Sequence, residues 1–313
     1  MVNYNGGEYL ERCVEALAMQ DFRDFEAFIV DNGSTDDSIA ALPELDARFV
    51  VIEAGKNLGF AAANNLAAAQ ARGEWIVALN PDAFAQAGWL AALRRAVNRH
   101  PFVTMLGSIQ IMAERPDLFD GTGDELSVFG VAYRARHGHA VRTLTEDFPV
   151  FGPCAAAAAY RRDAFEAVGG FDERFFCYHE DVDLALKLRR HGGRAVQVHD
   201  AVVHHVGSGL TGKASDFAVY HGTRNRIWTW FSSMPTGLMW GLLPLHVGAN
   251  LAYGFWSFLR PGRAKPTWRG LRDGGRGIPE MLRTRRRYTG RGTVGGMLVK
   301  SPLAVLRRRN KVG

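Results

Sequence analysis

The chain has 313 residues, of which 47% are hydrophobic, so it is long enough for one large domain or for one domain with an appendage. Its three cysteines, Cys13, Cys154 and Cys177, are scattered and odd in number, which suits a reducing compartment and excludes the spacing of a zinc site. We expect no signal peptide.

The net charge of +6 conceals two regions of opposite sign. Residues 260–313 hold 16 Lys and Arg against 2 Asp and Glu, a net charge of +14, so the remaining residues carry −8. Two basic clusters in this tail, residues 283–287 and 307–309, are its densest parts. An acidic body with a basic tail predicts a polyanionic partner, either a membrane surface or a nucleic acid.

Strand-like and helix-like segments alternate through the first hundred residues. The predicted strands are residues 25–30, 49–52 and 75–79, and the predicted helices begin near Tyr9 and cover residues 60–71 and 88–97. This alternation predicts an α/β fold with a mostly parallel sheet and helices on its faces. Ligands bind beyond the carboxyl ends of the strands in such sheets, and Asp31 and Asp82 follow two different strands.

Residues 103–151 are less regular, with several short strand-like runs that are joined by turns at 120–124 and 136–139. We assign no chemistry to this segment. Its basic residues Arg134, Arg136 and Arg142 are expected to be solvated and not to bind phosphate.

Acidic and aromatic residues cluster between residues 169 and 184. A double-glycine turn, Gly169-Gly170, precedes them, and Glu180-Asp181-Val182-Asp183-Leu184 begins a helix that Gly192-Gly193 ends. Acidic residues are favoured in a first helical turn, so this stretch alone leaves capping and catalysis both open. The distant Asp82 at a strand end favours catalysis.

A further strand-like run, residues 196–206, carries His204 and His205. Side chains alternate along a strand, so at most one of these histidines points into a site. Either could bind a metal ion beside carboxylates at other strand ends.

The run Gly207-Ser208-Gly209-Leu210-Thr211-Gly212 has the glycine pattern of dinucleotide folds. No apolar helix follows it, and no acidic residue stands about 20 positions later. We therefore predict no nicotinamide or flavin site, and the chain has no Walker phosphate loop.

Five motifs in order resemble the family 2 glycosyltransferases, and most of all a bacterial rhamnosyltransferase-like branch of cell-envelope enzymes. The resemblance covers roughly residues 1–230. The motifs are Val2-Asn3-Tyr4-Asn5, the Val-Asp-Asn-Gly-Ser-Thr-Asp run at 30–36, Asn57-Leu58-Gly59-Phe60 with Asn64, Leu79-Asn80-Pro81-Asp82, and the acidic stretch from Gly169 to Leu184.

This resemblance implies a GT-A fold and an inverting transfer of a sugar from a nucleotide-sugar donor. Tyr4 is expected to pack on the base, and Asp31 to bind the base or ribose. The residues implied in donor binding are Tyr4, Asn5, Asp31, Asn32, Asn57, Gly59, Asn64 and Asn80.

The resemblance also implies a divalent cation, Mg²⁺ or Mn²⁺, which stabilises the leaving diphosphate as a Lewis acid. Asp82 is its expected ligand, with His204 or His205 as candidates. Because Asn-Pro-Asp replaces Asp-x-Asp, diphosphate oxygens and water must complete the shell.

Asp181 matches the general base, which must reach the acceptor hydroxyl, and Glu180 is its rival. Asp183 is expected to form a salt bridge or to cap the helix. Phe176, Tyr178 and His179 are the implied acceptor-binding residues.

In the family, several apolar residues precede the equivalent of Val2 and form the central strand. They are missing before Val2 here, and we expect a start codon placed too late. The first strand is predicted to be a few residues long and central in the sheet.

Residues 227–259 contain no Lys, Arg, Asp or Glu and are rich in aromatic residues. The run is long enough to cross a bilayer, but Pro235, Pro244, His246 and Asn250 interrupt it. We predict helices at the membrane interface, with the basic tail on anionic lipid. A buried helical hairpin and a single span within 236–259 are the alternatives.

The predicted divisions are a catalytic domain at 1–226, membrane-associated helices at 227–259 and a basic tail at 260–313.

The predicted function is an inverting, metal-dependent glycosyltransferase of the hexosyltransferase type at the cytoplasmic face of the inner membrane. It would transfer rhamnose, by nearest resemblance, from a dTDP-, UDP- or GDP-sugar to a lipid-linked saccharide, and no nucleic acid takes part. A sugar nucleotidyltransferase is one alternative, although residues 5–8 lack the basic residue of its usual glycine-rich loop. A membrane-bound scaffold is the other, and it has no use for Asp31, Asp82 and Asp181.

Overall fold

The structure, a computed structural model, describes residues 1–207, 215–285 and 294–299. Within them lie twelve strands: β1 Val2–Asn3, β2 Ala27–Asp31, β3 Phe49–Glu53, β4 Trp75–Leu79, β5 Ala83–Ala85, β6 Met105–Met112, β7 Phe119–Gly121, β8 Asp124–Leu126, β9 Ala132–Arg134, β10 Phe148–Pro149, β11 Ala157–Arg161 and β12 Ala195–His205. The helices are α1 Glu8–Ala18, α2 Gly59–Ala68, α3 Trp89–Arg99, α4 Arg162–Ala167, α5 Glu180–Arg190, α6 Asp216–Ser233, α7 Thr236–Gly241, α8 Leu243–Ser257 and α9 Ala264–Arg285, with short 3-10 helices at Glu173–Phe175 and Gly295–Met297.

The strands form a parallel sheet, a larger mixed sheet and a separate two-stranded antiparallel sheet of β8 and β9. The first has the order β1-β2-β3, and the second has the order β10-β12-β6-β11-β4, with β5 on β12 and β7 on β6. The α/β prediction is confirmed, but "mostly parallel" holds only for the first sheet. In the second, β11 runs antiparallel between β4 and β6, and only β6 and β12 pair in parallel.

Strand β1 is two residues long, as predicted, but its predicted central position is wrong. It pairs with β2 alone and forms the edge of the three-stranded sheet. A cavity of about 540 Å³ lies between β2 and β4, lined among others by Met1, Phe28 and Ile76. Asp31, Asp82 and Asp181 do not line it.

Strand β11 separates the two hydrophobic cores of the molecule. Its side chains alternate, so Ala157 and Ala159 join the core of α1 and α3, whereas Ala158 and Tyr160 join the core of α5 and α6. The alanines are buried, and their small side chains let both layers approach the sheet. The helices on both faces thereby hold the carboxyl ends of the strands in fixed positions.

The carboxy-terminal helices divide the uncharged run differently from the prediction. Helix α6 passes through the predicted boundary between residues 226 and 227, and Ile227, Trp230 and Phe231 within it are buried in the core. Residues 236–259 form two helices, α7 and α8, instead of one span. Across the described residues no helix combines the length and apolar character needed to cross a membrane. The cluster at 307–309 and residues 286–287 lie outside the described residues.

Candidate active site

The predicted metal ligands Asp82 and His205 face each other. Asp82 follows β4, His205 ends β12, and the antiparallel pairing of β12 with β5 places His205 opposite Ala83. The Nε2 atom of His205 lies 3.3 Å from Oδ1 of Asp82, and both side chains are buried. Ligand atoms at right angles around one ion, with bonds of about 2.1 Å, are spaced about 3 Å apart. The pair therefore fits a divalent cation.

His204 points to the other face of β12, as the alternation predicted for one of the two histidines. Its Nε2 atom lies 3.4 Å from the side-chain amide of Gln86. His204 as a metal ligand is therefore wrong, because its neighbour His205 occupies the face that carries Asp82.

Asp120 and Arg134 complete this half of the site, and the sequence analysis missed both. Asp120 in β7 accepts a hydrogen bond from Nδ1 of His205 at 2.7 Å and forms an ion pair with Arg134 in β9. Burial alone would raise the pKa of Asp120, but Arg134 and the hydrogen bonds from His137 and His205 hold that pKa far below its ordinary range. A carboxylate on the second nitrogen orients a histidine for metal binding.

The prediction that Arg134 is merely solvated is wrong. Its side chain is 31% exposed, and its Nη1 atom lies 3.4 Å from Nδ1 of His205. Burial raises the pKa of Asp124 and of Asp181, and the charge of Arg134 opposes the rise in each. In the sequence, one local pattern could have pointed to this part of the site: the acidic pair Asp120 and Asp124 around Gly-Thr-Gly. Asp120 is placed by the pairing of β7 with β6, whereas Asp124 lies opposite Arg134 in the pairing of β8 with β9.

Asp181 lies in the other half of the site beside Asp124 and Cys154. One oxygen of each carboxylate and Sγ of Cys154 lie within 4.8 Å of one another. Burial raises the pKa of Cys154 to about 12, so this thiol stays protonated and is a poor ligand for a hard cation. The group is therefore better suited to proton transfer than to metal binding.

The carboxylate of Asp181 is held by two backbone N–H groups. Ala155 donates to Oδ2 at 3.2 Å, and Val182 donates to Oδ1 at 2.8 Å. Burial raises the pKa of Asp181 above its ordinary value, although these hydrogen bonds and Arg134 oppose the rise. The Asp181 side chain is only half-buried.

Glu180 differs from its neighbour. It is 6% exposed, and its Oε2 atom has no hydrogen-bond partner within the described residues. Burial and then the charge of Asp181 raise the pKa of Glu180 well above its ordinary value. Asp181 is therefore more easily ionised than Glu180, and its side chain is the more accessible of the two.

Two other carboxylates of the acidic stretch are structural. Asp183 forms a buried ion pair with Lys187 at 2.7 Å and accepts hydrogen bonds from Ser232 and Ser233 in α6. This is the salt bridge expected of Asp183. Asp172 caps the 3-10 helix at Glu173–Phe175.

The predicted donor residues near the strand ends hold one another in place. Oδ1 of Asp31 accepts from the backbone of Ser34 at 3.2 Å, and Oδ1 of Asn5 accepts from the backbone of Thr35 at 2.7 Å. The amide of Asn32 donates to Asn57 Oδ1 at 3.0 Å. These bonds order the turns that border the site on the donor side.

Gly59 connects the donor side to the acceptor side. Its φ is +81°, and a Cβ atom there would lie 2.6 Å from the ring of Phe176. Only glycine allows this approach. The structure therefore places the predicted donor-binding and acceptor-binding residues in contact.

Three other predicted donor residues have different surroundings. Tyr4 is 43% exposed. Asn80 donates from its backbone to Ala156 at 2.9 Å, close to Ala155 beneath Asp181. Asn64 hydrogen bonds to the carbonyl of Phe60 in its own helix and lines the cavity between β2 and β4.

The predicted acceptor residues lie in a loop with unusual backbone geometry. Phe176, Tyr178 and His179 have φ of 65°, 71° and 68°, values that cost energy for residues other than glycine. The Asn225 amide of α6 donates to the carbonyls of Phe175, Cys177 and Tyr178 and so holds this loop.

Two aromatic residues of α6 extend the acceptor wall, and the sequence analysis missed them. The ring of His221 stacks on Phe176 with 5.5 Å between centroids, and Phe217 packs at 6.1 Å from the same ring. Phe217 is 38% exposed. An exposed apolar plane of this kind suits the apolar face of a sugar ring.

A second group with metal-type ligands lies elsewhere. Asp147, His199 and Asp200 come together near the end of α3. The oxygens of Asp147 already accept from His199, His100 and Arg99. This group therefore acts as an ion-pair cluster.

Comparisons with known proteins identify the family and the fold of the chain. The sequence profile of Glycosyl transferase family 2 matches residues 1–169. The chain is 31% identical over 249 residues to N-acetylglucosaminyl-diphospho-decaprenol L-rhamnosyltransferase of Mycobacterium tuberculosis. The matched region covers 70% of this chain and 80% of that protein.

Two solved structures share the fold. GalNAc-T7 with UDP, GalNAc and Mn²⁺ superposes with a TM-score of 0.60 at 15% identity, and the match covers 74% of this chain and 46% of that chain. Residues 1–349 of S. aureus TarS with UDP-GlcNAc superpose with a TM-score of 0.58 at 18% identity, covering 91% and 82%. The mixed α/β architecture is thus that of GT-A glycosyltransferases. The chain belongs to glycosyltransferase family 2, in its rhamnosyltransferase-like branch.

Proposed function

We propose that this protein is an inverting, metal-dependent hexosyltransferase of cell-envelope polysaccharide synthesis. It moves a sugar, with rhamnose as the first candidate, from a nucleotide-sugar to a lipid-linked saccharide. The observation that carries the proposal is one connected site in which the Asp82–His205 pair is linked through Asp120 and Arg134 to Asp181. Inverting transfer needs a cation site at the leaving group and a base opposite it.

Asp82 and His205 would hold the cation, which when bound offers Lewis-acid stabilisation of the leaving diphosphate. The mixed oxygen and nitrogen ligands favour Mn²⁺ over Mg²⁺, because Mg²⁺ binds oxygen almost exclusively. Asp120 keeps His205 in the tautomer that presents Nε2 to Asp82. The exposed part of Arg134 offers further N–H donors to a diphosphate.

Asp181 would accept the proton of the acceptor hydroxyl. Backbone N–H groups hold its carboxylate, so its direction is determined before the acceptor arrives. The raised pKa of Asp181 makes it a stronger base than an ordinary aspartate. General bases work best when their pKa lies near the working pH. Glu180, which is buried, would shape the pocket instead.

We assign the donor side and the acceptor side of the site as follows. Tyr4, Asn5 and Asp31 would bind the nucleotide, and the loop from Phe176 to His179 would bind the acceptor with Phe217 and His221. The name of the mycobacterial relative describes a rhamnosyltransferase that acts on a lipid-diphosphate sugar, which supports this choice of sugar and acceptor. A dTDP-, UDP- or GDP-sugar is the donor class.

A lipid-linked acceptor requires the enzyme to work at a membrane surface. We propose peripheral or monotopic attachment at the cytoplasmic face of the inner membrane. The catalytic residues lie within 1–226, the membrane-associated helices at 227–259 also complete the core, and the basic tail lies on lipid. The alternatives are a sugar nucleotidyltransferase and a non-enzymatic scaffold.

One experiment separates the three functions. Nucleotide-sugars are first ranked by thermal shift in the presence of Mn²⁺. The best donor is then incubated with membrane lipid extract, and the released nucleotide is identified. Release of nucleoside diphosphate is expected. In a parallel incubation with nucleoside triphosphate and sugar 1-phosphate, release of pyrophosphate would indicate a nucleotidyltransferase. Neither product in either incubation would indicate a scaffold.

A further inference from the structure

The outward surface of α7 and α8 is apolar along its length. Of the fifteen large hydrophobic residues exposed within the described part of the chain, eight lie between residues 240 and 259. We call this set the apolar face; it consists of Trp240, Leu245, Val247, Leu251, Phe255, Trp256, Phe258 and Leu259, which are 39–77% exposed. A concentration of exposed apolar residues marks an interaction surface.

Helix α8 has the reverse of the usual amphipathic arrangement. A surface helix normally turns its apolar side inward, but the buried residues of α8 are His246, Asn250, Gly254 and Ser257. His246 bonds to the carbonyl of Phe129 at 2.8 Å. Because the polar side of α8 makes these interior contacts, its apolar side is left outside.

The inward contacts of α8 also hold its orientation. Oδ1 of Asn250 accepts from Nε and Nη2 of Arg226 in α6 at 3.0 and 2.6 Å. The ring of His246 stacks on Trp230 at 4.2 Å between centroids. Turning the apolar face inward would break the hydrogen bonds between Arg226 and Asn250. Breaking them is costly because buried polar groups that lose their hydrogen-bond partners destabilise the fold.

Positive charge borders the apolar face. Residues 260–285 contain eight Lys and Arg against two Asp and Glu. The guanidinium of Arg260 lies 4.9 Å from the ring centroid of Trp256, and Trp268 of α9 packs against Phe255 and Phe258. Tryptophan and arginine beside an apolar helix face are typical of helices that lie in a bilayer interface.

We propose that the apolar face inserts into the headgroup–acyl boundary of an anionic bilayer, with Arg260 and the basic residues of α9 on lipid phosphates. The proposal rests on the membrane-linked function above and names the surface that performs it. With 15 residues, α8 is about 22 Å long, shorter than the roughly 30 Å hydrocarbon core. It therefore lies along the membrane, with side chains reaching about 5–10 Å into it.

This orientation brings the acceptor loop close to the lipid. Helix α6 contacts α8 through Arg226 on one side and holds the loop at residues 175–178 through Asn225 on the other. Adjacent residues of α6, Asn225 and Arg226, therefore connect that loop to α8. An acceptor anchored in the same bilayer would therefore meet the site without leaving the membrane.

The test compares the full chain with the double variant Leu251→Glu, Phe255→Glu. The matched control is Phe102→Glu, since Phe102 is 79% exposed beyond the end of α3. Vesicles of phosphatidylcholine with or without phosphatidylglycerol are sedimented with each protein, and circular dichroism checks folding. We expect the double variant to lose at least about 100-fold in partition to anionic vesicles, whereas the control binds like the unaltered protein.

A second measurement reports insertion directly. Lipids brominated near the headgroup should quench Trp fluorescence of the unaltered protein, and Trp256→Phe should reduce that quenching. Equal vesicle binding by the double variant, or no quenching, would overturn the proposal. So would a dimer in analytical ultracentrifugation that the double variant abolishes, because a second copy would then cover the face.

Nucleotide release keeps this proposal distinct from the function. The double variant should still release nucleoside diphosphate with a water-soluble acceptor analogue. If the unaltered protein binds vesicles but releases nothing with any donor or acceptor, the glycosyltransferase proposal fails while the apolar face stands.

Discussion

Asp181 and Glu180 are adjacent, yet their carboxylates have different access to substrate. Asp181→Asn preserves size and removes basicity, so the transfer rate should fall by about 10²–10⁴ with donor affinity nearly unchanged. Glu180→Gln should cost less, because that side chain is buried. Steady-state transfer and donor titration check both. If the Glu180→Gln variant is inactive and the Asp181→Asn variant is active, then Glu180 is the general base and Asp181 is not.

The pH dependence follows from the same residue. A general base works only when deprotonated, and burial raises the pKa of Asp181. Transfer should therefore decline as the pH falls through this raised pKa, at a higher pH than an ordinary aspartate near 3.9 would give. The kcat profile, measured with a stability control at each pH, should show this acid limb. A profile without an acid limb would contradict a basic role for Asp181.

In the proposed site Asp120 acts through His205 and not on substrate, so metal affinity is the informative measurement. Asp120→Asn should weaken Mn²⁺ binding by about 10–100-fold, the usual effect of losing a carboxylate behind a metal-binding histidine. Calorimetry with Mn²⁺ and nucleoside diphosphate measures it. The matched control is Asp117→Asn, whose exposed ion pair with Arg115 is remote from the ligands. Unchanged affinity in Asp120→Asn would show that His205 needs no such support.

At the scale of elements, Asp147 ties three segments together. It stands before β10, and it accepts from Arg99 at the end of α3, from His100 and from His199 in β12. Burial alone would raise the pKa of Asp147, but these hydrogen bonds hold it well below its ordinary value. A depressed folded-state pKa stabilises the protein above the unfolded pKa and loses that contribution as the pH falls.

Asp147→Asn should therefore lower the free energy of unfolding by about 2 kcal/mol at pH 7. The difference from the unaltered protein should narrow as the pH falls below about 4. Urea unfolding at several pH values measures it. Asp163→Asn is the control, since Asp163 is 69% exposed in its pair with Arg161 and should change little. A constant difference at all pH values would contradict the ion-pair explanation.

At the scale of the whole molecule, the carboxy-terminal helices belong to the catalytic core. Trp230 and Phe231 of α6 and Met281 of α9 are buried in the same cluster as Leu184 of α5. A membrane-binding appendage that could be removed at residue 226 is therefore not what the packing shows. Within the described residues, the surface that we propose for lipid contact is the apolar face and its basic border.

Ending the chain after Arg226 should accordingly unfold the protein. Losing a single buried Trp or Phe side chain costs about 3–5 kcal/mol, and a whole domain has a net stability of only about 5–15 kcal/mol. Ending it after Val299 keeps Val294 and Leu298 in the core and should leave the thermal transition intact. Soluble yield and melting by circular dichroism compare the two. A folded 1–226 fragment would contradict this integration.

Much of the fold and half of the site followed from local patterns. The strand at residues 75–79, the helix after Glu180 and the turns at Gly169-Gly170 depend on periodicity and turn chemistry, which neighbouring residues determine. Asp82 and Asp181 could be predicted because they stand at element ends. Asp120, Asp124 and Arg134 could not, because short irregular strands bring them to the site by pairing across the sheet.

The sequence by itself determined the α/β alternation, the family motifs and the uncharged run before a basic tail, because each is a property of contiguous residues. Only the tertiary structure decided that His205 and not His204 faces Asp82, since strand register selects the face. Only it decided that the polar side of α8 turns inward, since Arg226 and Trp230 lie there to receive it. A choice between two faces depends on what packs against each, and those partners lie far away in the chain.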